Sequence, residues 1–155
     1  MGKFLSTKTY GNDRGLSCCF RQWRADHSHC SLLHGYSIGI KLIFECDQLD
    51  ERNWVMDFGG LKEFKDWAEH MFDHTLLVAE DDPQRGALEE MNAKGLAVVR
   101  VVPGVGCERF AEMAYKKMQG IINGSKVSGT ALNPTVRVKS VEVFEHGANS
   151  AIYEE

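Results

Sequence analysis

The chain has 155 residues, 43% hydrophobic and 26% charged, with a formal charge of -4 and no basic run. That length suits one domain, 1–155, around a single core, and the charge balance excludes the electrostatic footprint of a nucleic-acid binder. No apolar stretch approaches the roughly 18 residues of a membrane span and the amino terminus lacks the apolar middle of a signal peptide, so a cytoplasmic protein with no membrane or nucleic-acid partner is expected.

Residues 4–23 read as β on both sides of a turn at Gly11 to Gly15. In "YSIGIKLIFECD", Tyr36, Ile38, Ile40, Leu42, Phe44 and Cys46 alternate with Ser37, Gly39, Lys41 and Glu45, the pattern of one long strand with a buried face. The period then changes. Leu61, Phe64, Trp67, Ala68, Met71 and Phe72 recur at three and four, which predicts a helix, with Asp57 or Gly60 at its amino-terminal end. A turn-rich segment follows with a short helix around Ala87 to Ala93, and "LAVVRVVPG" reads as a short strand stopped by Pro103 and Gly104. A second long helix is expected from Glu108 to Ile122, stopped by Asn123 and Gly124, and then a loop to Pro134. The last strand shifts its apolar phase from Val136 and Val138 to Val141 and Val143, which predicts a bulge. One sheet covered by two helices is an α+β arrangement. Its open edges favour pairing with further copies of the chain.

Five cysteines, Cys18, Cys19, Cys30, Cys46 and Cys107, with no CxxC pair, fit reduced thiols better than a disulfide framework. Cys30 lies between His29 and His34, where an imidazole can support a thiolate; the alternative is a small buried side chain entering a strand. His27, His29 and His34 form an H-x-H-x4-H pattern in which the first two share a face of an extended segment and the third closes a cation site, or none of them is a ligand. In Asp73 and His74 the carboxylate can orient the imidazole for proton transfer, or the histidine merely complements a helix carboxyl end. Glu145 ends a strand, where its two oxygens can accept parallel N–H donors from an amino-pyrimidine ring or stay solvated. Glu108 has the same ambiguity as an amino-terminal helix charge.

In chain order, "CSLLHGYSIGI", "WVMDFGGLK", "FDHTLL", "VPGVGCERFAE" and "VFEHGANSAIY" resemble the motifs C-x3-HGH, V-x-DF-x2-LK, LDH-x2-L, NPT-x-EN-x-A and E-T-x4-A-x-Y of the 6-pyruvoyl-tetrahydropterin and 6-carboxy-tetrahydropterin synthases, the latter being the queuosine-pathway type. The resemblance implies a tunnelling fold: an antiparallel four-stranded sheet with two main helices on one face, assembled into trimers and hexamers with active sites between subunits. It implies a lyase acting on 7,8-dihydroneopterin triphosphate, with Cys30, Asp73 and His74 as catalytic residues and Glu145 and Glu108 as substrate-binding residues. It also implies zinc held by three histidines. His34 matches one ligand, but Tyr36 and Phe20 stand where the other two belong. Either His27 and His29 replace them, giving a site of His27, His29 and His34, or the protein is a metal-free pterin-binding homologue.

Overall fold

The computed structural model describes residues 2–131 and 133–155; of the loop expected between 123 and 134, position 132 lies outside the described residues. Strand β1 (Phe4–Tyr10) and strand β2 (Ser17–Phe20) flank the expected turn but enter different sheets. The long strand predicted from Tyr36 to Asp47 is likewise two, β3 (His34–Ser37) and β4 (Gly39–Cys46). Between them the Ile38 N–H donates to Leu16 O at 3.0 Å, and the chain crosses from one sheet to the other. The alternation survives the crossing, because Ile38, Ile40, Leu42, Phe44 and Cys46 are all fully buried.

A 3₁₀ turn at Phe58–Leu61, capped by the Asp57 carboxylate accepting from Gly59 N–H at 2.8 Å, leads into α1 (Lys62–Phe72). Strand β5 (Thr75–Ala79), helix α2 (Arg85–Ala93), strand β6 (Val99–Val102), helix α3 (Cys107–Ser128) and the hairpin of β7 (Arg137–His146) and β8 (Asn149–Glu154) complete the chain. The stop expected at Asn123 and Gly124 is overrun by α3. Its end is fixed instead by Gly129 in the left-handed conformation, φ 75°, and by Lys126 Nζ donating to Val136 O at 2.6 Å.

The antiparallel sheet runs β1-β4-β7-β8. The predicted bulge is present: Ile43 pairs with Ser140 and Phe44 with Val138, leaving Lys139 as the extra residue. Helix α3 packs across β7 and β8, and α1 packs on α3 while its Phe64 ring stacks 5.9 Å from Tyr10 of β1. Both helices therefore cover one face, as expected. A second sheet, β3-β2-β5-β6, was not foreseen. Here β5 pairs in parallel with β2 and β6, and all five of its residues are buried. Such a strand shows no alternation, which is why it escapes a reading by period.

Gly39 marks the crossing for a steric reason. A Cβ there would lie 2.1 Å from the Phe144 ring, so Gly39→Ala forces that ring out of place. The variant should lose about 1–3 kcal/mol in a urea titration, and Phe144→Ala in the same chain should return part of it.

Candidate active site

The β2–β3 ladder pairs Cys18 with Tyr36 and Phe20 with His34, and the β2–β5 ladder places Cys18 opposite Thr75. This register lines up the chemistry-bearing residues along one end of the second sheet. Next to it comes the end of β7, which carries Glu145 on the neighbouring sheet.

Tyr36 is half-buried and packs against Phe20, ring centroids 6.1 Å apart, and edge-on to His34 at 5.5 Å. Burial raises its phenol above the usual range, and the Glu145 carboxylate and the Cys30 and Cys107 thiols add to the shift. Cys107 opens α3. Burial pushes its thiol up to about 12, with Glu145 and Glu108 contributing. Cys18 is likewise pushed to about 12 by burial, then by Cys19 and Cys107. Cys107 and Cys18 are therefore thiols at neutral pH, and Tyr36 is a phenol. A carboxylate offers about four lone-pair sites, so Glu145 can face the Tyr36 and Cys107 protons and still accept a pair of donors from a ligand. The sequence singled out Glu145 and Cys30 but passed over Tyr36 and Cys107 as functional groups; their position inside the "CSLLHGY" and "VGCER" motifs was the available signal.

Cys30 sits half-buried on a 3₁₀ turn, His29–Ser31, where its N–H donates to the Ser28 hydroxyl at 3.2 Å. Two residues tie that turn down. Gln22 N–H donates to Cys30 O at 2.9 Å while its side-chain amide donates to Val105 O at 3.2 Å, fastening the turn to the entry of α3. Gly106 is required there, with φ 108° and no room for a Cβ, which would meet Gln22 Nε2 at 2.3 Å. Arg21 forks onto Asp82 with two bonds of 2.8 Å and donates to Ser31 O at 3.2 Å. The Arg21 guanidinium holds the Asp82 carboxyl below the usual carboxylate range.

Asp73 and His74 do face each other. His74 takes a left-handed backbone, φ 56°, its N–H donates to Ser17 O at 2.6 Å, and its ring Nδ1 donates to Asp73 Oδ1. With N–H on Nδ1, Nε2 is the free acceptor. The pair lies on the surface of this chain, the Asp73 side chain 45% and the His74 side chain 85% exposed. Neither residue is among the groups acting on Tyr36 or Cys107. Glu108 is exposed in the first turn of α3.

The histidines stand apart. His27 and His29 are exposed, and His34 Nδ1 donates to Leu32 O at 2.7 Å. Among the described residues no group of three or more His, Cys, Asp or Glu side chains is placed to hold a metal. Phe20, at one implied ligand position, is buried and carries no donor atom. Within one chain the residues present do not fit a three-histidine metal centre. Among the described residues no helix is long and apolar enough to cross a membrane.

Residues 12–155 match the sequence profile of 6-pyruvoyl tetrahydropterin synthase. The chain belongs to that family. Among curated relatives it is similar to the 6-carboxy-5,6,7,8-tetrahydropterin synthase of Rickettsia conorii, 30% identical over 77 residues, 44% of this chain and 56% of that protein. The match thus spans little more than half of that relative. It is also similar to the enzyme of the same name from Aquifex aeolicus, 25% identical over 129 residues, 81% of this chain and 76% of that one. Among solved structures, an uncharacterized protein from Wolinella succinogenes superposes with a TM-score of 0.73 at 19% identity, covering 99% of this chain and 98% of that one. The 6-pyruvoyl tetrahydropterin synthase of Plasmodium falciparum gives 0.65 at 14% identity, again covering 99% and 98%. These neighbours establish the tunnelling fold for this family member.

Proposed function

We propose that this chain is a lyase acting on 7,8-dihydroneopterin triphosphate to form 6-carboxy-5,6,7,8-tetrahydropterin, the product for which its curated relatives are named. The observation that supports it most is the approach of the β3 end to the β7 end, where the Asn12 amide reaches both Ser37 O at 2.7 Å and Glu145 O at 3.1 Å, so that Glu145 lies near enough to Tyr36 and to Cys107 at the start of α3 to help raise both groups. In this reading Glu145 accepts the paired N–H donors of the pterin ring. Cys30, on a turn held at both ends, moves protons on the ring's side chain while triphosphate departs. His74, oriented by Asp73, serves the same chemistry. Its exposure in a single chain fits a site completed by a second copy, and the sheet's open edges carry exposed Phe4, Leu5 and Ile152, so a homo-oligomer, trimer or hexamer, belongs to the proposal.

The test mixes purified protein with 7,8-dihydroneopterin triphosphate and follows triphosphate and acetaldehyde. Turnover should appear and fall by about 10²–10⁴-fold in Cys30→Ala. No turnover with or without added zinc overturns the lyase reading. The lack of a metal-holding group among the described residues favours a second reading, a metal-free pterin binder. Elemental analysis separates the two: about one zinc per chain, lost in His29→Ala, supports a centre assembled from His27, His29 and His34. Pterin binding without zinc or turnover supports the second.

A further inference from the structure

Glu145 is irregular in the backbone as well as in its chemistry. The β4–β7 ladder ends at Gly39 opposite Phe144, one residue short of it. In the β7–β8 ladder Phe144 pairs with Ser150 and His146 with Asn149, so Glu145 is the extra residue of a bulge and has no opposite partner. A bulge re-aims a side chain at the cost of local pairing, and a backbone carbonyl released this way needs another donor.

That donor is Asn12. Its Nδ2 lies 2.7 Å from Ser37 O, 3.1 Å from Glu145 O and 3.3 Å from Phe144 O. An amide nitrogen has two protons; one goes to Ser37 and the other is shared by the two carbonyls of β7. Ser37 directly follows Tyr36 and ends β3 of the mixed sheet, whereas Glu145 is the penultimate residue of β7 in the antiparallel sheet. Asn12 itself sits on a tight turn, closed by Arg14 N–H donating to Gly11 O at 3.1 Å.

We infer that Asn12 is a positioning residue: its side-chain amide bridges the two sheets, sets the gap between Tyr36 and Glu145, and holds the bulge that aims the Glu145 carboxylate. The inference rests on reading Glu145 as the ring anchor. Aspartate has the same shape without the donors, and alanine removes the group altogether, so both should fail in the same way. Serine is too short to reach three carbonyls on two strands.

The test is equilibrium binding of neopterin, followed by its fluorescence, to wild type, Asn12→Ala, Asn12→Asp, Glu145→Gln and Asn12→Ala/Glu145→Gln, together with amide hydrogen exchange over residues 144–149. Loss of two hydrogen bonds should weaken neopterin about tenfold in each Asn12 variant, speed exchange at Glu145 and His146, and leave core exchange unchanged. In the Glu145→Gln background the Asn12 change should add nothing, a non-additivity that general destabilisation does not produce. Unchanged affinity in the Asn12 variants, or effects that add fully to Glu145→Gln, overturns the inference. If wild type binds no neopterin, or Glu145→Gln binds as well as wild type, the anchor reading falls instead. The exchange rates then decide for Asn12: faster exchange confined to 144–149 keeps the tether, and unchanged exchange removes it.

Discussion

Replacing Asp82 with alanine should cost about 3 kcal/mol of stability, near the lower end for a broken buried ion pair. Its side chain is 1% exposed and that of Arg21 22%, so the stranded guanidinium keeps a wet edge that softens the loss. Gln84 N–H, 2.8 Å from the same carboxylate, loses its acceptor as well. The pair also carries a pH signature. Its folded carboxyl is depressed, chiefly by the Arg21 hydrogen bond, so its stabilisation is fully present above the unfolded value near 3.9 and is lost as pH falls through the folded value. Acid titration of the melting midpoint should show this loss below about pH 4 in wild type and not in Asp82→Asn. Arg21 also holds Ser31 O, so Asp82→Ala should loosen the turn that bears Cys30 and lower turnover in material that is still folded. Full turnover in the folded variant would mean that the turn is held without Arg21.

His74→Gly should make the protein more stable and inactive together. A non-glycine residue at φ 56° carries strain of about 1 kcal/mol or more, which glycine relieves. The exposed ring contributes little packing to offset that gain. Proton transfer through an imidazole oriented by Asp73 should disappear with it, a fall of about 10²–10⁴-fold in triphosphate release. His74→Ala is the informative companion, since it removes the ring and keeps the strained backbone; it should be as inactive as His74→Gly without the gain in melting temperature. Equal stability of the two variants would show that the left-handed turn costs nothing, and retained activity would take His74 out of the chemistry.

The amphipathic elements were legible because each buries one face. Ile38, Ile40, Leu42, Phe44 and Cys46 are buried as their alternation predicts, and Phe64, Ala68 and Phe72 as their helical spacing predicts. The phase jump after Val138 announced its bulge. Elements without a one-sided face were hidden. β5 is buried on both sides, so its run of apolar residues has no period to read. The end of α3 was misplaced because Asn123 and Gly124 sit exposed and tolerated, while the decisive groups, Gly129 and the Val136 carbonyl that accepts from Lys126, lie further on. The site divides in the same way. Cys30, Asp73, His74 and Glu145 could be picked out by residue type and motif, yet the facing of Asp73 and His74 depends on a positive φ that no neighbouring residue announces. Asn12 gave no signal at all, because its partners are backbone carbonyls 25 to 133 residues away.

Strand β7 lies between β4 and β8, although it follows β4 only after α1, β5, α2, β6 and α3. The nascent polypeptide therefore leaves the ribosome with Ile40, Leu42 and Phe44 already made and the strand that pairs alongside them still missing. Loop closure of that span precedes any return from sheet pairing, and the unpaired edge of β4 stays open to other chains meanwhile. A chain truncated ahead of Arg137 keeps that edge of β4 open permanently, so it is expected to aggregate or be cut by protease where the full-length chain is not.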